Sequence, residues 1–255
     1  MMPVEIMAEL GSCHEGDVGR FRQLIALTKE SGCTHAKAQF WSSTDRMVAR
    51  RHAEAYRTVY QRYSIPLGWL NILRQECERV GLVPACSVYL PEDVSAVAEL
   101  VDVLKVSSFE AGREMVDACR STGKRVVVST GMTDADHVYE WWQDATVLHC
   151  VSAYPAPLDQ LNLSVIRENG YDGFSDHSGH VLTGAFAVAA GARMIEVHIR
   201  LHDTDRTVPD FAVALGPRDL MTYMQHIRLA EQMLGSDVKA VQPCEQPMLR
   251  YKVGA

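Results

Sequence analysis

The stretch VDVLKVSSFEAGREMVDACRSTGKRVVVST, residues 101–130, holds one complete structural unit of the chain. Two short apolar runs rich in β-branched residues, VDVLKVS (101–107) and RVVVST (125–130), flank a segment with helical spacing that closes on Gly123. A glycine at that place suits the C-cap of a helix. The stretch therefore predicts a strand, a helix and a second strand.

The same unit recurs along the rest of the chain. Six further apolar runs have the length and composition of buried strands, namely VEIMAEL (4–10), THAKAQF (34–40), LVPACSV (82–88), TVLHCV (146–151), GFSDH (173–177) and RMIEVHI (193–199). Eight strands alternating with helices predict a (β/α)₈ TIM barrel, a single domain over residues 1–235. A doubly wound open sheet is the alternative fold. The insertion at 41–66 predicts a loop or short helix over the barrel mouth.

Composition and charge narrow the class of protein. The chain has 255 residues and is 47% hydrophobic. Its net charge of −7 does not favour binding to nucleic acid or to an anionic membrane. Its seven cysteines are scattered and include no C-x-x-C pair, as expected of reduced thiols. The start MMPVEIMAELG lacks the basic segment of a signal peptide, and no apolar run reaches eighteen residues. We expect a cytoplasmic protein with small-molecule substrates, and a homo-oligomer is compatible with this.

Polar residues crowd the ends of the predicted strands. In barrel enzymes the C-terminal strand ends carry the chemistry, whereas a strand buried on both faces should be nearly continuous Val, Ile and Leu. The polar residues at these ends are Glu9, Lys37, Gln39, Ser87, Lys105, Ser107, Ser108, Ser129, Thr130, His149, Ser152, Ser175, Asp176, His177, Glu196 and His198. Their position predicts a ligand site.

Two histidines are candidates for metal binding. His177 and His198 end the adjacent seventh and eighth strands, so they could share one divalent ion acting as a Lewis acid, such as manganese, magnesium, iron, cobalt or zinc. Asp176 and Glu196 could orient the imidazole rings or a metal-bound water. The alternative is that both histidines simply form structural hydrogen bonds across the barrel.

Two lysines point to an anionic ligand. Lys37 and Lys105, with the hydroxyls of Ser108, Ser129, Ser152 and Ser175, could form a pocket for phosphate or for a ligand carrying phosphate and carboxylate. A Schiff-base lysine is the competing interpretation, although a pair of lysines favours anion binding.

Charged residues near the mouth have two interpretations each. Glu110 follows the fourth strand and is a general-base candidate, or else a helix N-terminal glutamate that faces solvent. The arginines at 46, 50, 51, 57 and 62 form a solvated helix face, or else they lie on a lid and steer an acidic substrate.

The strand ends together resemble the sialic acid (N-acetylneuraminate) synthase family. The matching segments are AELGSCHEGD (8–17), KAQF (37–40), KVSSFE (105–110), VVVSTGM (126–132), LHCVSAYPAPLDQLNL (148–163), FSDHSGH (174–180), GARMIEVHIRL (191–201) and VPD (208–210). Enzymes of this family condense phosphoenolpyruvate with an aldehyde sugar to give a nonulosonic acid. The resemblance therefore implies a transferase of carbohydrate biosynthesis.

The resemblance also implies roles for individual residues. It assigns the metal to His177 and His198, and the phosphate and carboxylate of phosphoenolpyruvate to Lys37, Lys105, Ser108, Ser152 and Ser175. It places Glu9, Gln39, Tyr154 and Asp210 near the acceptor and gives Glu110 a part in proton handling. The residues expected to act in catalysis are thus Glu9, Lys105, Glu110 and Asp210, and Ser87 and Ser129 join those expected to bind substrate.

Several features depart from the family pattern. Residues 236–255 resemble the linker to a small antifreeze-like domain, which in the family delivers a partner subunit's arginine to the acceptor, and we expect that domain to be absent. Ser107 and Phe109 replace two glycines, Cys13 replaces an asparagine and Val208 a glycine. We therefore expect the binding site for phosphoenolpyruvate to follow the family pattern and the binding site for the acceptor to differ from it. The expected acceptor is an aldehyde other than N-acetylmannosamine, with a phosphate, carboxylate or nucleoside held by Arg200, Arg206 or the 46–62 arginines.

These observations favour a metal-dependent synthase that joins phosphoenolpyruvate to an aldehyde. Two other functions use much the same residues. One is a metal-assisted aldolase or lyase acting on a 2-oxo acid, and the other is a non-catalytic ligand-binding barrel.

Overall fold

Eight parallel strands form a closed barrel in the structure, a computed structural model that describes residues 3–134 and 142–254. In chain order they are β1 Glu5–Glu9, β2 His35–Phe40, β3 Val83–Val88, β4 Val103–Val106, β5 Arg125–Ser129, β6 Thr146–Cys150, β7 Gly173–Asp176 and β8 Met194–His198. Each predicted run contains one of them. Because β8 pairs with β1, the (β/α)₈ barrel is confirmed and the open sheet is wrong.

Alternate residues of each strand point into the barrel, and this alternation determines where the layer of polar side chains lies. A first layer of inward-facing apolar side chains closes the interior and comprises Met7, Ala85, Val103, Val127, Leu148 and Met194. Two residues further along the same strands come Glu9, Ser87, Lys105, Ser129, Cys150 and Glu196. Since alternate residues share one face of a strand, these side chains point into the C-terminal end of the barrel.

Helices surround the strands. They are α1 Val18–Glu30, α2 Thr44–Arg51, α3 Arg57–Tyr63, α4 Gly68–Val80, α5 Val94–Ala98, α6 Arg113–Arg120, α7 Val165–Glu168, α8 Thr183–Ala189 and α9 Pro217–Leu234, with 3₁₀ turns at Gly11–His14, Glu54–Tyr56, Pro91–Asp93, Leu158–Gln160 and Pro243–Tyr251. Gly123, predicted to end a helix, has positive φ, and so do Gly32 after α1 and Gly81 after α4. They occupy the left-handed conformation that closes a helix at low steric cost.

The 41–66 insertion is helical and covers the barrel mouth. It contains α2 and α3, and its aromatic residues pack with the end of β3 in a small cluster of Trp41, Met47, Tyr63, Tyr89 and Leu90. This cluster is separate from the main core. The insertion is therefore fastened over the mouth by its own apolar contacts.

The chain beyond α9 packs differently from the barrel. Every residue from 236 to 254 is exposed, including the turn Pro243–Tyr251. The division at residue 235 between barrel and tail stays a prediction. Among the described residues, no helix has both the length and the apolar character needed to cross a bilayer.

Candidate active site

A cavity of about 880 Å³ opens at the C-terminal end of the barrel. Most of the residues predicted from the strand ends line it, namely Glu9, Lys37, Gln39, Ser87, Lys105, Ser108, Glu110, Ser129, Tyr154, Ser175, His177, His198 and Asp210. Ser152 lies just behind the wall, where its Oγ is 2.7 Å from Ser108 Oγ. The structure thus brings the predicted site residues together around one cavity.

Two lysines and two glutamates form a buried ionic cluster at its floor. Lys37 Nζ contacts Glu9 Oε2, donates to Ser87 Oγ at 2.6 Å and lies 3.6 Å from Glu196 Oε2. Lys105 Nζ is 3.9 Å from the same oxygen of Glu196. Burial lowers the pKa of Lys37 to about 8 and also lowers that of Lys105. Burial acts to raise the pKa of Glu196, but the two lysine charges outweigh it and hold that pKa below its usual range.

The two carboxylate oxygens of Glu196 have different partners. Its Oε1 accepts a hydrogen bond from Ser175 Oγ at 2.7 Å, whereas the buried Oε2 has no hydrogen-bond partner among the described residues. The charge on this oxygen is paired with the ammonium groups of Lys37 at 3.6 Å and Lys105 at 3.9 Å. Glu196 therefore faces the lysines and balances their charge, and the expectation that it orients the histidine rings finds no support in its hydrogen bonds.

His177 and His198 lie side by side, with ring centroids 5.4 Å apart at an angle of 65°. His177 Nδ1 is 2.9 Å from the Val151 carbonyl oxygen and donates to it, so Nε2 is the ring nitrogen left for other partners and lies 3.2 Å from Tyr154 Oη. Buried His198 Nδ1 has no partner among the described residues and lies 3.7 Å from Asp210 Oδ1. The hydrogen bonds found for these rings go to other groups and do not join the two histidines.

These two side chains fit a metal ion. Burial lowers the pKa of His198 to about 4, so its imidazole is neutral near pH 7, and the unpaired Nδ1 is an available ligand atom. Burial acts to lower the pKa of His177 as well, but the adjacent Cys150 and the Val151 carbonyl hold it above its usual value. The described part of the chain has no group of three or more His, Cys, Asp or Glu side chains placed for a metal. Water and substrate would therefore complete the coordination of an ion held by two histidines.

Asp176 does not orient the histidine rings, so that expectation is wrong. Its carboxylate lies on the outer face of the barrel, where it accepts hydrogen bonds from Ser178, Thr183 and, at 2.9 Å, Tyr223 Oη. Successive residues of a strand point to opposite faces. With His177 facing inward, Asp176 must face the helices behind β7.

The same alternation corrects the expectation that His149, in β6, belongs to the ligand site. His149 points outward, and its Nε2 lies 2.7 Å from the Leu161 carbonyl oxygen. Its neighbour Cys150 takes the inward place, with Sγ 3.5 Å from His177 Nδ1. Sequence reasoning missed Cys150, although its distance of two residues from the inward-facing Leu148 was a usable signal.

Glu110 is buried and does not face solvent. Its two carboxylate oxygens accept hydrogen bonds from Arg50 Nε at 2.7 Å and Arg51 Nε at 2.8 Å, both from the last turn of α2. These two arginines line the cavity. Arg46 and Arg57 instead form ion pairs at the surface. The insertion is thus both a solvated face and a lid, with two arginines turned inward.

Asp210 anchors the turn that follows β1. It accepts hydrogen bonds from Ser12 N at 2.7 Å and Ser12 Oγ at 2.6 Å. Gly11 has φ +47°, and a Cβ there would collide with the Asp210 carboxylate. This close approach holds the side wall of the cavity, next to His198, in place.

Two of the arginines expected at the acceptor lie elsewhere. Arg200 Nε donates to the Ala214 carbonyl at 3.0 Å, and its guanidinium stacks on Phe211 with 4.3 Å to the ring centroid. Arg206 is exposed. Neither residue is among those that line the cavity, and of the expected arginines Arg50 and Arg51 reach it.

Comparison with known proteins agrees with this geometry. A model of the NeuB family matches residues 24–239. An uncharacterized protein of Methanocaldococcus jannaschii is 28% identical over 97% of this chain and 77% of its own length, and the N-acetylneuraminate-9-phosphate synthase of Homo sapiens is 28% identical over 95% of this chain and 74% of its own. The structure of N-acetylneuraminic acid (sialic acid) synthetase from Leptospira borgpetersenii serovar Hardjo-bovis superposes with a TM-score of 0.89 at 23% identity, covering 99% of this chain and 92% of that one.

The structural likeness shows that the two proteins share the barrel fold. The family match runs from α1 through β8 and α9. It includes both lysines of the cavity floor and both histidines. The chain therefore belongs to the NeuB family.

Proposed function

We propose that this chain is a metal-dependent synthase that condenses phosphoenolpyruvate with an aldehyde sugar or sugar-like acceptor, giving a 2-oxo acid of the nonulosonic type and phosphate. The observation that carries the proposal is the placement of two buried lysines and two buried histidines around one cavity. Membership of the NeuB family supports it, as does the similarity to the human synthase.

In this proposal the floor of the cavity binds the donor. Lys37 and Lys105 supply ammonium groups, and the hydroxyl of Ser108, held by Ser152 behind it, supplies a further donor for the phosphate and carboxylate oxygens. Lys105 Nζ is held by the Val106 carbonyl at 2.9 Å and Ser129 Oγ at 2.7 Å. Preorganised cations of this kind stabilise developing negative charge without reorganisation during the reaction.

His177 and His198 are the proposed metal ligands. When bound, a divalent ion polarises the carbonyl group of the aldehyde as a Lewis acid. The protein keeps both imidazoles ready by burying them, by fixing the tautomer of His177 through the Val151 carbonyl, and by packing Tyr154 on His177 with 4.3 Å between ring centroids. These contacts also exclude bulk water from the two rings.

The proposed condensation forms one carbon–carbon bond and breaks one carbon–oxygen bond of the donor. Donor C3 bonds to the aldehyde carbon, whose oxygen takes up a proton, and water adds at C2 while giving a proton to a carboxylate. The tetrahedral C2 carbon then expels phosphate with the C2–O bonding pair, and its hydroxyl gives its proton to the departing phosphate as the ketone forms. Glu110 is the proposed acceptor of the proton from water. Because Arg50 and Arg51 occupy both its oxygens, water must replace one of these hydrogen bonds first.

Release of inorganic phosphate tests the proposal. The purified protein with Mn²⁺ and phosphoenolpyruvate is assayed against a panel of aldoses and phosphorylated aldoses that includes N-acetylmannosamine. We expect aldehyde-dependent phosphate release and a product whose mass equals acceptor plus pyruvate. Phosphate release that is no faster with any aldehyde than without one, after metal loading is verified, would exclude the synthase.

The pH dependence of donor capture follows from Lys37. A pKa of about 8 means that this lysine loses its charge as pH rises above 8, and an anion binds the protonated form. We expect kcat/KM for phosphoenolpyruvate to fall about tenfold between pH 7 and pH 9, since this ratio reports the ionisation of the free enzyme. In Lys37→Arg the guanidinium stays protonated, so the decline should move to higher pH. A wild-type profile that stays flat to pH 9.5 would contradict the assignment.

A further inference from the structure

Two arginines of α2 form a cationic group at the mouth of the cavity. Arg50 and Arg51 both donate to Glu110, so inside the cavity two positive charges face one carboxylate. The other ion pair of Arg50, with Glu114 at 3.0 Å, is made to a side chain that is 69% exposed and is screened by solvent. The cationic charge at the mouth is therefore only partly balanced.

The contacts of Arg51 leave part of its guanidinium without a partner. The group lies over Phe109 and Tyr89, with 4.9 Å and 5.0 Å to the ring centroids, and its Nη1 is 3.4 Å from Tyr60 Oη. Its Nη2 is buried and has no hydrogen-bond partner among the described residues. A buried charged donor without an acceptor is destabilising. A ligand oxyanion that reaches this nitrogen would remove that cost.

Phe109 gives this arrangement its shape. The residue stands where the resembling family has glycine, and its ring is half exposed while covering the Arg51 guanidinium. A glycine would leave that face of the arginine uncovered. The aromatic surroundings hold the planar guanidinium in place and leave Nη2 as the donor for a carboxylate or phosphate oxygen.

From this geometry we infer that Arg51, with Arg50, binds an anionic substituent of the acceptor substrate. The inference rests on the proposed function, in which the anions of phosphoenolpyruvate occupy Lys37 and Lys105 at the floor of the cavity. An anion at the arginines must then belong to the second substrate. The ligand chemistry is an oxyanion, either phosphate or carboxylate, carried by the aldehyde away from its reacting carbon.

Binding of unreactive acceptor analogues tests this without turnover. D-Glucitol, D-glucitol 6-phosphate and L-gulonate (D-glucuronate with its aldehyde reduced) lack an aldehyde, and the two anionic analogues carry their charge at the far end of the chain. Each is titrated calorimetrically into protein saturated with Mn²⁺ and phosphoenolpyruvate, so that the lysines are occupied. We expect at least one anionic analogue to bind at least tenfold more tightly than glucitol. Arg51→Met should weaken binding of that analogue by about 10- to 150-fold, the loss expected for a charge-assisted hydrogen bond, and leave glucitol binding unchanged.

Matched variants separate a specific subsite from general charge effects. Arg46→Met removes an arginine from the same helix that pairs with Glu92 at the surface and does not line the cavity, and it should keep the preference. Arg51→Lys retains the charge without the planar fork and should keep part of it, which guards against a folding defect in Arg51→Met.

Three results would overturn the inference. In the first, the wild type binds both anionic analogues no more tightly than it binds glucitol. In the second, the Arg46→Met and Arg51→Met variants lose the preference for anionic analogues to the same extent. The third is an Arg51→Met variant that loses turnover equally for neutral and anionic aldoses but still binds the anionic analogues preferentially. That result would mean that Arg51 only positions Glu110. If Arg51-dependent binding is found but no aldehyde releases phosphate, the subsite stands and the proposed synthase function fails.

Discussion

Alanine in place of His177 is expected to abolish binding of the divalent metal and, with it, the condensation. The proposed site has two protein ligands among the described residues, so removing one leaves only His198 and solvent. Lewis-acid polarisation contributes several kcal/mol to such reactions. Its loss corresponds to a fall in kcat on the order of 10³-fold, because each 1.36 kcal/mol is a factor of ten.

The metal content gives a readout that does not depend on activity. Elemental analysis after dialysis against Mn²⁺ should find about one equivalent in the wild type and little in His177→Ala. His149→Phe is the matched control, since that histidine ends a neighbouring strand but faces outward and stacks on Phe174. It should keep its metal. An unchanged metal content in His177→Ala would show that these two histidines do not form the metal site.

Methionine in place of Lys105 is expected to raise KM for phosphoenolpyruvate strongly or to eliminate turnover. The substitution keeps most of the buried stem and removes the charge beside Glu196, which then faces the donor's anions with only Lys37 to balance it. Loss of one charge-assisted hydrogen bond corresponds to roughly 10- to 150-fold in affinity. The added exposure of the donor to the Glu196 charge makes the upper end of this range the expected result.

Steady-state kinetics with varied phosphoenolpyruvate measure this effect. Lys29→Met removes an exposed lysine at the end of α1 and serves as the control, with kinetics expected to match the wild type. Borohydride treatment during turnover distinguishes anion binding from imine chemistry. A reduced pyruvyl adduct on Lys37 or Lys105 in the mass spectrum would support the lyase and contradict the proposed donor site.

Much of the barrel could be predicted from sequence because its determinants are local. Each strand is a short apolar run, and each helix has its own spacing and a terminal glycine, so neighbouring residues carry the signal. The period of two also places Lys37, Lys105 and His177 on inward faces at the C-terminal strand ends. Closure was decided by the pairing of β1 with β8, whose residues are nearly 190 positions apart in the chain.

The electrostatic partners of the site needed the tertiary structure. Glu110 meets Arg50 and Arg51 across about 60 residues, and nothing in the local pattern around KVSSFE or around the arginine run indicates that pairing. The same arginine run contains Arg46, which pairs at the surface. Only the packing of the insertion on β3 determines which arginines turn inward.

Sequence by itself thus determined the eight strands and the residue types at their ends, because backbone alternation is a property of each strand alone. The tertiary structure alone decided which of those groups are buried together and how their charges are balanced. Burial strengthens interactions between charges that are distant in the chain, as in the contacts of Lys37 with Glu9 and Glu196. The pKa of Lys37 and the unpaired Nη2 of Arg51 follow from that burial, which no short segment of the chain encodes.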